Sequence, residues 1–352
     1  MVRIKNNANF KKLKVLITGH TGFIGSWLTE WLTLLGANVM GYSLDPPTNP
    51  NLYDILDLKT KIIDVRADVR DFKLLAKSIL EFSPDVIFHL AAQPILLKSY
   101  EIPIETFETN VMGTVNLLEA SRQTNSVKAV VVMTSDKTYK NKGWEYPYRE
   151  IDELGGRDPY SASKSCADLI VSSYRNSFFR RAGIGLSAVR AGNVIGGGDF
   201  SESRLIPDTI RSLIKNEPLQ LRNPQSVRPW QHVMDLVNGM LKLAWKMYEN
   251  PLEYSSDWNF GPDGKSVAVE DVVKLFLKLW GSGKYQNRPS NVDREEKILT
   301  LDISKAITLL GWKPIYDFNL AVSKTTKWYK GFVDKIDLQQ FTIDEIGAYA
   351  EM

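Results

Sequence analysis

The stretch Val15-Leu16-Ile17-Thr18-Gly19-His20-Thr21-Gly22-Phe23-Ile24-Gly25 decides the fold of this 352-residue chain. An unbroken apolar and β-branched run ends in a GxxGxxG turn, and a helical pattern follows over 24–35. Such a run reads as a strand buried on both faces. Glycines let the chain turn sharply and let an anion reach the backbone. The helix start adds free N–H groups and a partial positive charge. An isolated glycine triplet also fits a plain tight turn; the strand before it and the helix after it favour a dinucleotide pyrophosphate.

Working outward, further strands are expected at 39–42, 62–69, 86–90 and 129–133, and helices at 72–82, stopped by Pro84, and at 110–122. Short apolar strands alternating with helices imply a Rossmann-type, doubly wound parallel α/β sheet. After Arg190 the alternation stops. Glycines cluster at 192 and 196–198, followed by a helix at 207–215, a short strand at 219–222 and a strong helix at 233–248. The expected division is a dinucleotide-binding domain over 1–190, with 232–256 packing back onto it. A smaller mixed α/β substrate domain would take 191–231 and 257–330, and 331–352 would form a tail. Prolines 46, 47 and 50 make 44–51 an irregular loop.

Composition narrows the function classes. Lys and Arg number 44 against 41 Asp and Glu, a net charge of +3, with no long basic run; this is no nucleic-acid footprint. The apolar stretches are too short to span a bilayer or to serve as a secretion signal. One cysteine, Cys166, excludes an intramolecular disulfide, and three histidines far apart with one cysteine leave no metal-ligand set. The expectation is a cytoplasmic protein with neither a nucleic-acid nor a membrane partner. Cys166 has no charge directly before it to activate a thiolate and reads as packing.

At the end of the second strand, Ser43 stands where a ribose-binding carboxylate is expected, and Asp45 follows. No arginine is expected to adjoin that strand end to receive a 2′-phosphate, which favours NAD over NADP. Asp68 fits either an adenine contact or a helix cap. The fifth strand runs into Ser135-Asp136-Lys137, and Tyr160 and Lys164 follow at i and i+4, on one helix face. A lysine ammonium beside a phenol lowers its pKa from about 10. The phenolate can then take a hydroxyl proton while a nicotinamide takes hydride from the same carbon, and Ser135 would hydrogen-bond that hydroxyl.

These residues resemble the extended short-chain dehydrogenase/reductase superfamily. Segments 19–27 (GHTGFIGSW), 89–94 (HLAAQP), 110–120 (NVMGTVNLLEA), 134–139 (TSDKTY), 158–164 (DPYSASK), 190–199 (RAGNVIGGGD), 204–208 (RLIPD) and 228–233 (RPWQHV) are similar to the CDP-glucose branch of the NAD-dependent sugar-nucleotide 4,6-dehydratases. The resemblance reaches Pro314. It implies a hydro-lyase acting on CDP-glucose in deoxysugar and O-antigen synthesis. Ser135, Tyr160 and Lys164 would oxidise C-4; Asp136 would act as acid and Lys137 as base across C-5 and C-6. A free lysine titrates near about 10.4 and an aspartate near about 3.9, so both roles require shifted groups. A strand-end charge pair remains the alternative for Asp136 and Lys137.

By the same resemblance, Gly19 to Gly25, including His20, Thr21, Gly22, Phe23 and Ile24, together with Ser43, Asp45, Asp68, Val69, Leu90, Ala91, Ala92, Tyr160 and Lys164, would hold the cofactor. Gln93, Ser135, Asn193, Arg204, Leu205, Arg228 and His232 would meet the substrate, although a bare histidine such as His232 reads more readily as a packed or hydrogen-bonded residue. Ile24 stands where this branch usually shows lysine. Relatives pair through two long helices, here 110–122 and 160–179, giving an expected homodimer or homotetramer. Alternatives are an epimerase or dehydratase acting on a UDP-, dTDP- or GDP-sugar, which as an epimerase needs no Asp136–Lys137 pair, and a non-enzymatic dinucleotide binder.

Overall fold

Seven parallel strands form the central sheet of the computed structural model, which describes residues 9–264, 266–288 and 298–352. In chain order the main elements are β1 (Lys14–Thr18), α1 (Phe23–Leu34), β2 (Asn38–Ser43), β3 (Ile63–Arg66), α2 (Phe72–Phe82), β4 (Val86–His89), α3 (Gly113–Arg122), β5 (Ala129–Met133), α4 (Pro159–Tyr174), β6 (Gly185–Ala191), α5 (Leu205–Lys215), α6 (Val233–Glu249), β7 (Trp258–Phe260), α7 (Val269–Trp280), α8 (Phe318–Val333) and α9 (Leu338–Glu351). The strand order is β7-β6-β5-β4-β1-β2-β3. The order reverses between β1 and β4. In open parallel sheets the ligand crevice lies at that switch point, beyond the strands' C-terminal ends.

Both faces of the sheet are covered. Val15, Ile17, Val86, Phe88, Ala129 and Val131 join one buried cluster, and Leu16, Ile87, Val130 and Val132 join the other. That alternation is the period-two register of strands packed on both sides. The first cluster runs on without a break into Trp312, Tyr316, Trp328 and Tyr349, so the later part of the chain shares its core with the sheet.

The structure redraws several expected boundaries. The expected substrate-domain start at 257 shifts, because Trp258–Phe260 pairs in parallel with β6 and completes the sheet. The expected tail contains α9, tied to α6 by a 2.6 Å bond from the Tyr349 hydroxyl to Asp235. Its Tyr349 also meets Trp31 edge-on. The expected third strand ends at Arg66 rather than at 69, where Asp68 turns the chain through its bond to the Arg70 amide. Residues 108–112 and 175–179 form wide helical turns next to α3 and α4. The part beyond β6 is built from two-stranded pairs: Val194–Ile195 with Gln231–His232, Val227–Arg228 with Val267–Ala268, and Leu219–Leu221 with Tyr285–Asn287.

Candidate active site

The glycine turn is shaped by close approach. Gly19 has φ +77°, and a Cβ there would stand 2.6 Å from the Ala91 amide nitrogen, so only glycine fits. A Cβ on Gly25 would meet the Gly19 carbonyl oxygen at 2.1 Å. Leu90 and Ala91 lean on this turn; their amides donate to the Thr18 carbonyl at 3.0 Å and hydroxyl at 3.3 Å. Ala92 follows them, half-buried. Gly22 opens α1 with no side-chain cap and no acidic residue in the first turn. Uncapped by any side chain, the first-turn N–H groups and the helix dipole beside Gly22 suit a pyrophosphate. Phe23 and Ile24 are half-buried in that first turn and pack against the core.

His20 does not turn its side chain to that helix start. The imidazole is buried, donates through Nε2 to Asp64 Oδ1 at 2.8 Å, and stands edge-on to Tyr53. Burial holds it below the usual imidazole range. Only its backbone remains available to a cofactor. Thr21 Oγ1 is paired with Ser43 Oγ at 2.9 Å and donates to the Leu44 carbonyl at 3.1 Å, which locks the turn to the end of β2.

The expectation that no arginine adjoins that strand end is overturned. Parallel pairing sets Arg66 of β3 beside Ser43. Its guanidinium reaches the Leu44 carbonyl at 3.1 Å and Asp64 at 3.0 Å, stacks on Tyr53, and lies 4.0 Å from the exposed Asp45. This arginine is already matched by carboxylates, and Asp45 stays open at the ribose end. Asp68 is less free than expected, because its carboxylate takes three donors from Arg70, which hold it below its ordinary range against burial. Val69 is buried, and its carbonyl accepts from Asn116.

The catalytic corner forms where β5 meets α4. Asp158 caps α4 by accepting from the Ser161 amide at 2.9 Å, and Pro159 opens the first turn. Tyr160 and Lys164 then face Ser135, and all three are buried. Burial pushes the Tyr160 phenol above its usual range; the hydrogen bond with Ser135 and the charge of Arg204 pull it back, while Asp136 and Asp158 push it further up. The expected direction is thus reversed, and Arg204 supplies a positive charge that works against burial at the phenol. Lys164 donates to the Met133 carbonyl at 3.2 Å. Burial brings its ammonium down to about 8 against the opposing pull of Asp168.

Asp136 is buried beside Ser135, whose hydroxyl donates to its Oδ1 at 3.1 Å. Its Oδ2 is buried with no protein partner. An unmatched buried carboxyl oxygen in a catalytic cleft points to a ligand hydroxyl. Lys137 is half-buried, and its amide donates to Ser135 Oγ at 3.2 Å.

On the substrate side the structure separates the expected residues. Gln93 is consumed by its own loop: its amide donates to Thr106 at 2.9 Å, and its carbonyl accepts from the Ile95 amide at 2.7 Å. The expected sugar contact is therefore corrected to a loop brace. His232 is also corrected. It caps α6 through Nδ1, packs against Trp27 and Tyr316, and is driven to about 3 by burial and by Lys324. Arg204 begins α5, lies 3.7 Å from Asp199 and keeps a third of its side chain exposed. Leu205 follows it against the core. Asn193 is half-buried, and its carbonyl accepts from Gln231. Arg228 is buried on its two-residue strand and donates to the Val227 carbonyl.

Sequence reasoning missed Arg66, for which the parallel register was the signal. It also missed Asn110, which joins Gln93 to Ser163 of α4 through bonds of 2.8, 3.1 and 2.9 Å. Among the described residues no three His, Cys, Asp or Glu side chains gather as a metal site, and no helix is long and apolar enough to cross a membrane.

Known proteins place this site in context. A family model described as GDP-mannose 4,6 dehydratase matches residues 16–325. A CDP-glucose 4,6-dehydratase of Salmonella typhimurium is 47% identical over 343 residues, 96% of each chain. A dTDP-glucose 4,6-dehydratase of Xanthomonas campestris is 26% identical over 95% of this chain and 98% of its own. The crystal structure of the dTDP-glucose 4,6-dehydratase DesIV of Streptomyces venezuelae, solved with NAD bound, superposes with a TM-score of 0.79 at 23% identity, over 90% of this chain and 97% of that one. The match over nearly the whole chain, together with the Ser135, Tyr160 and Lys164 corner, makes this protein a member of the GDP-mannose 4,6 dehydratase family.

Proposed function

We propose that the chain is an NAD-dependent hydro-lyase converting CDP-glucose to CDP-4-keto-6-deoxyglucose. The observation that carries this is the 47% identity, across 96% of both chains, with the Salmonella CDP-glucose enzyme. The open α1 N-terminus beside Gly22, the matched Arg66 and the exposed Asp45 fit a dinucleotide without a 2′-phosphate. A nicotinamide held there would supply the hydride chemistry, removing hydride at C-4 of the hexose and giving it back at C-6.

The chain's own residues move the protons. Tyr160 takes the C-4 hydroxyl proton as its phenolate, a form that Ser135 and the Arg204 charge favour against burial. Lys164 donates one bond to Met133 and has further donors for the cofactor ribose. The ketone at C-4 acidifies C-5. Lys137 takes the C-5 proton, and Asp136 gives a proton through Oδ2 to the C-6 hydroxyl, which leaves as water; Lys137 then gives the proton back to C-5 as C-6 is reduced. Asn193, Arg204, Leu205 and Arg228 are the groups for the nucleotide diphosphate, where the planar guanidinium fork suits paired oxygens.

Residues 1–190 with 232–260 serve the cofactor in this reading, and the remainder serves the nucleotide sugar. The protein acts in the cytoplasm on a soluble substrate from deoxysugar and O-antigen synthesis. Two copies pair through the face that exposes Ile104, Phe107, Met112, Leu169 and Phe178 next to α3 and α4.

Purified protein with CDP-, dTDP-, UDP- and GDP-glucose tests the reading. Loss of one water from the CDP-sugar, without net change in the dinucleotide, is expected by mass spectrometry. Turnover of another sugar nucleotide alone, or unchanged mass with inverted stereochemistry, overturns it.

A further inference from the structure

A buried ion pair lies behind the catalytic corner, and the proton transfers above do not use it. Asp168 sits one turn beyond Lys164 on α4, and Arg190 lies near the end of β6; their side chains are 1% and 2% exposed. Arg190 donates through Nη2 to Asp168 Oδ1 at 2.6 Å and through Nε to Oδ2 at 2.8 Å. The rest of the guanidinium fork is also occupied. Nη1 donates to the Tyr139 hydroxyl at 3.0 Å and the Glu150 carbonyl at 2.9 Å, and Asp257 stands 3.3 Å from Nη2. A two-point guanidinium–carboxylate contact fixes orientation as well as distance.

Asp168 Oδ2 accepts two more donors, Thr134 Oγ1 at 3.0 Å, whose proton is shared with the Val189 carbonyl at 3.1 Å, and Thr138 Oγ1 at 3.4 Å. These threonines stand immediately before Ser135 and immediately after Lys137. One carboxylate therefore grips both ends of the segment that carries Ser135, Asp136 and Lys137, from the same helix that carries Tyr160 and Lys164. A second α4 side chain, Ser165, holds the Thr138 carbonyl at 2.8 Å. A buried ion pair is a poor source of net stability, since apolar replacements often do as well. Its geometric consequence here is specific.

We propose that Asp168, held by Arg190, is the positioning residue that fixes residues 134–138 against α4 and so aligns Ser135 and Asp136 with Tyr160. This rests on the dehydratase reading. A misplacement of about 1 Å costs about 10²-fold in rate, so the grip acts on kcat rather than on binding.

The test is a Thr134→Val/Thr138→Val double variant, which removes both hydroxyls at nearly constant volume and leaves the ion pair intact. Water loss from CDP-glucose is expected to fall about 10- to 100-fold in kcat, with KM within about twofold, and the Thr134→Ser/Thr138→Ser variant is expected to recover most of the rate. Hydrogen–deuterium exchange of the peptide spanning 134–139 is expected to rise in the valine variant and to stay protected in the serine one. Asp168→Asn serves as a second arm wherever circular dichroism shows it folded. An unchanged kcat in the valine variant, or an equal loss in the serine one, overturns the proposal. Wild-type protein that leaves CDP-glucose untouched would sink the dehydratase reading instead. In that case the exchange data still decide, and unchanged protection overturns the positioning role.

Discussion

The two ends of the cleft solve different problems. At the catalytic corner Ser135, Asp136, Tyr160 and Lys164 are all under a tenth exposed and come from two rigid segments, the end of β5 and the start of α4. At the nucleotide end, Asn193 and Arg204 are part-exposed and come from loop and helix-start positions after β6. Burial strengthens electrostatics and shifts pKa values, at a cost to stability. Exposure leaves a side chain able to adjust to a ligand. The corner should therefore control rate and stability together, and the outer end chiefly affinity.

The strongest way to break this contrast is Tyr160→Phe. It removes the proton acceptor and should lower kcat for water loss by about 10³-fold, with KM little changed; a steady-state assay on CDP-glucose checks it. A fall in affinity instead would place the phenol at the binding end.

Next is stability. The Lys164 ammonium is brought down to about 8 by burial, against about 10.4 unfolded. Below pH 8 both states hold the proton, and the burial penalty is fully present. Between about 8 and 10 the native state releases it while the unfolded chain keeps it, so wild-type stability rises with pH. Lys164→Met should thus be more stable by about 3 kcal/mol at pH 7, with the gap closing toward pH 10, and should be inactive. Thermal unfolding across that range reads it.

Asp136→Asn should cut water loss about 10²-fold while C-4 oxidation persists. Mass spectrometry of quenched reactions would then find the 4-keto hexose, lighter by a hydrogen pair, in place of the dehydrated product. The smallest effect belongs to the outer end. Arg204→Ala should raise KM about tenfold and move stability by less than about 0.5 kcal/mol. Its charge also acts on the Tyr160 phenol, so a kcat loss larger than the KM change would show that the two ends are coupled.

Much of this site was legible because its parts are local. The glycine turn lies between one strand and one helix, and Tyr160 and Lys164 share a face at i and i+4. The illegible parts depend on residues brought together from afar. Gln93 looked like a free polar group until Thr106 and the Ile95 amide claimed it. His232 sat inside a strong motif, yet its ring caps α6 and packs between Trp27 and Tyr316. Arg66 reached the end of β2 only through strand pairing.

Periodicity and turn chemistry by themselves determined the parallel sheet, the glycine turn and the shared helix face of Tyr160 and Lys164, because each is set within a few residues along the chain. Tertiary structure alone decided that Trp258–Phe260 completes the sheet, that burial raises the Tyr160 phenol and lowers the Lys164 ammonium, and that Asp168 holds both ends of the Ser135 segment. Desolvation and hydrogen-bond partnership are properties of a packed interior, and no local pattern encodes which distant groups will supply them.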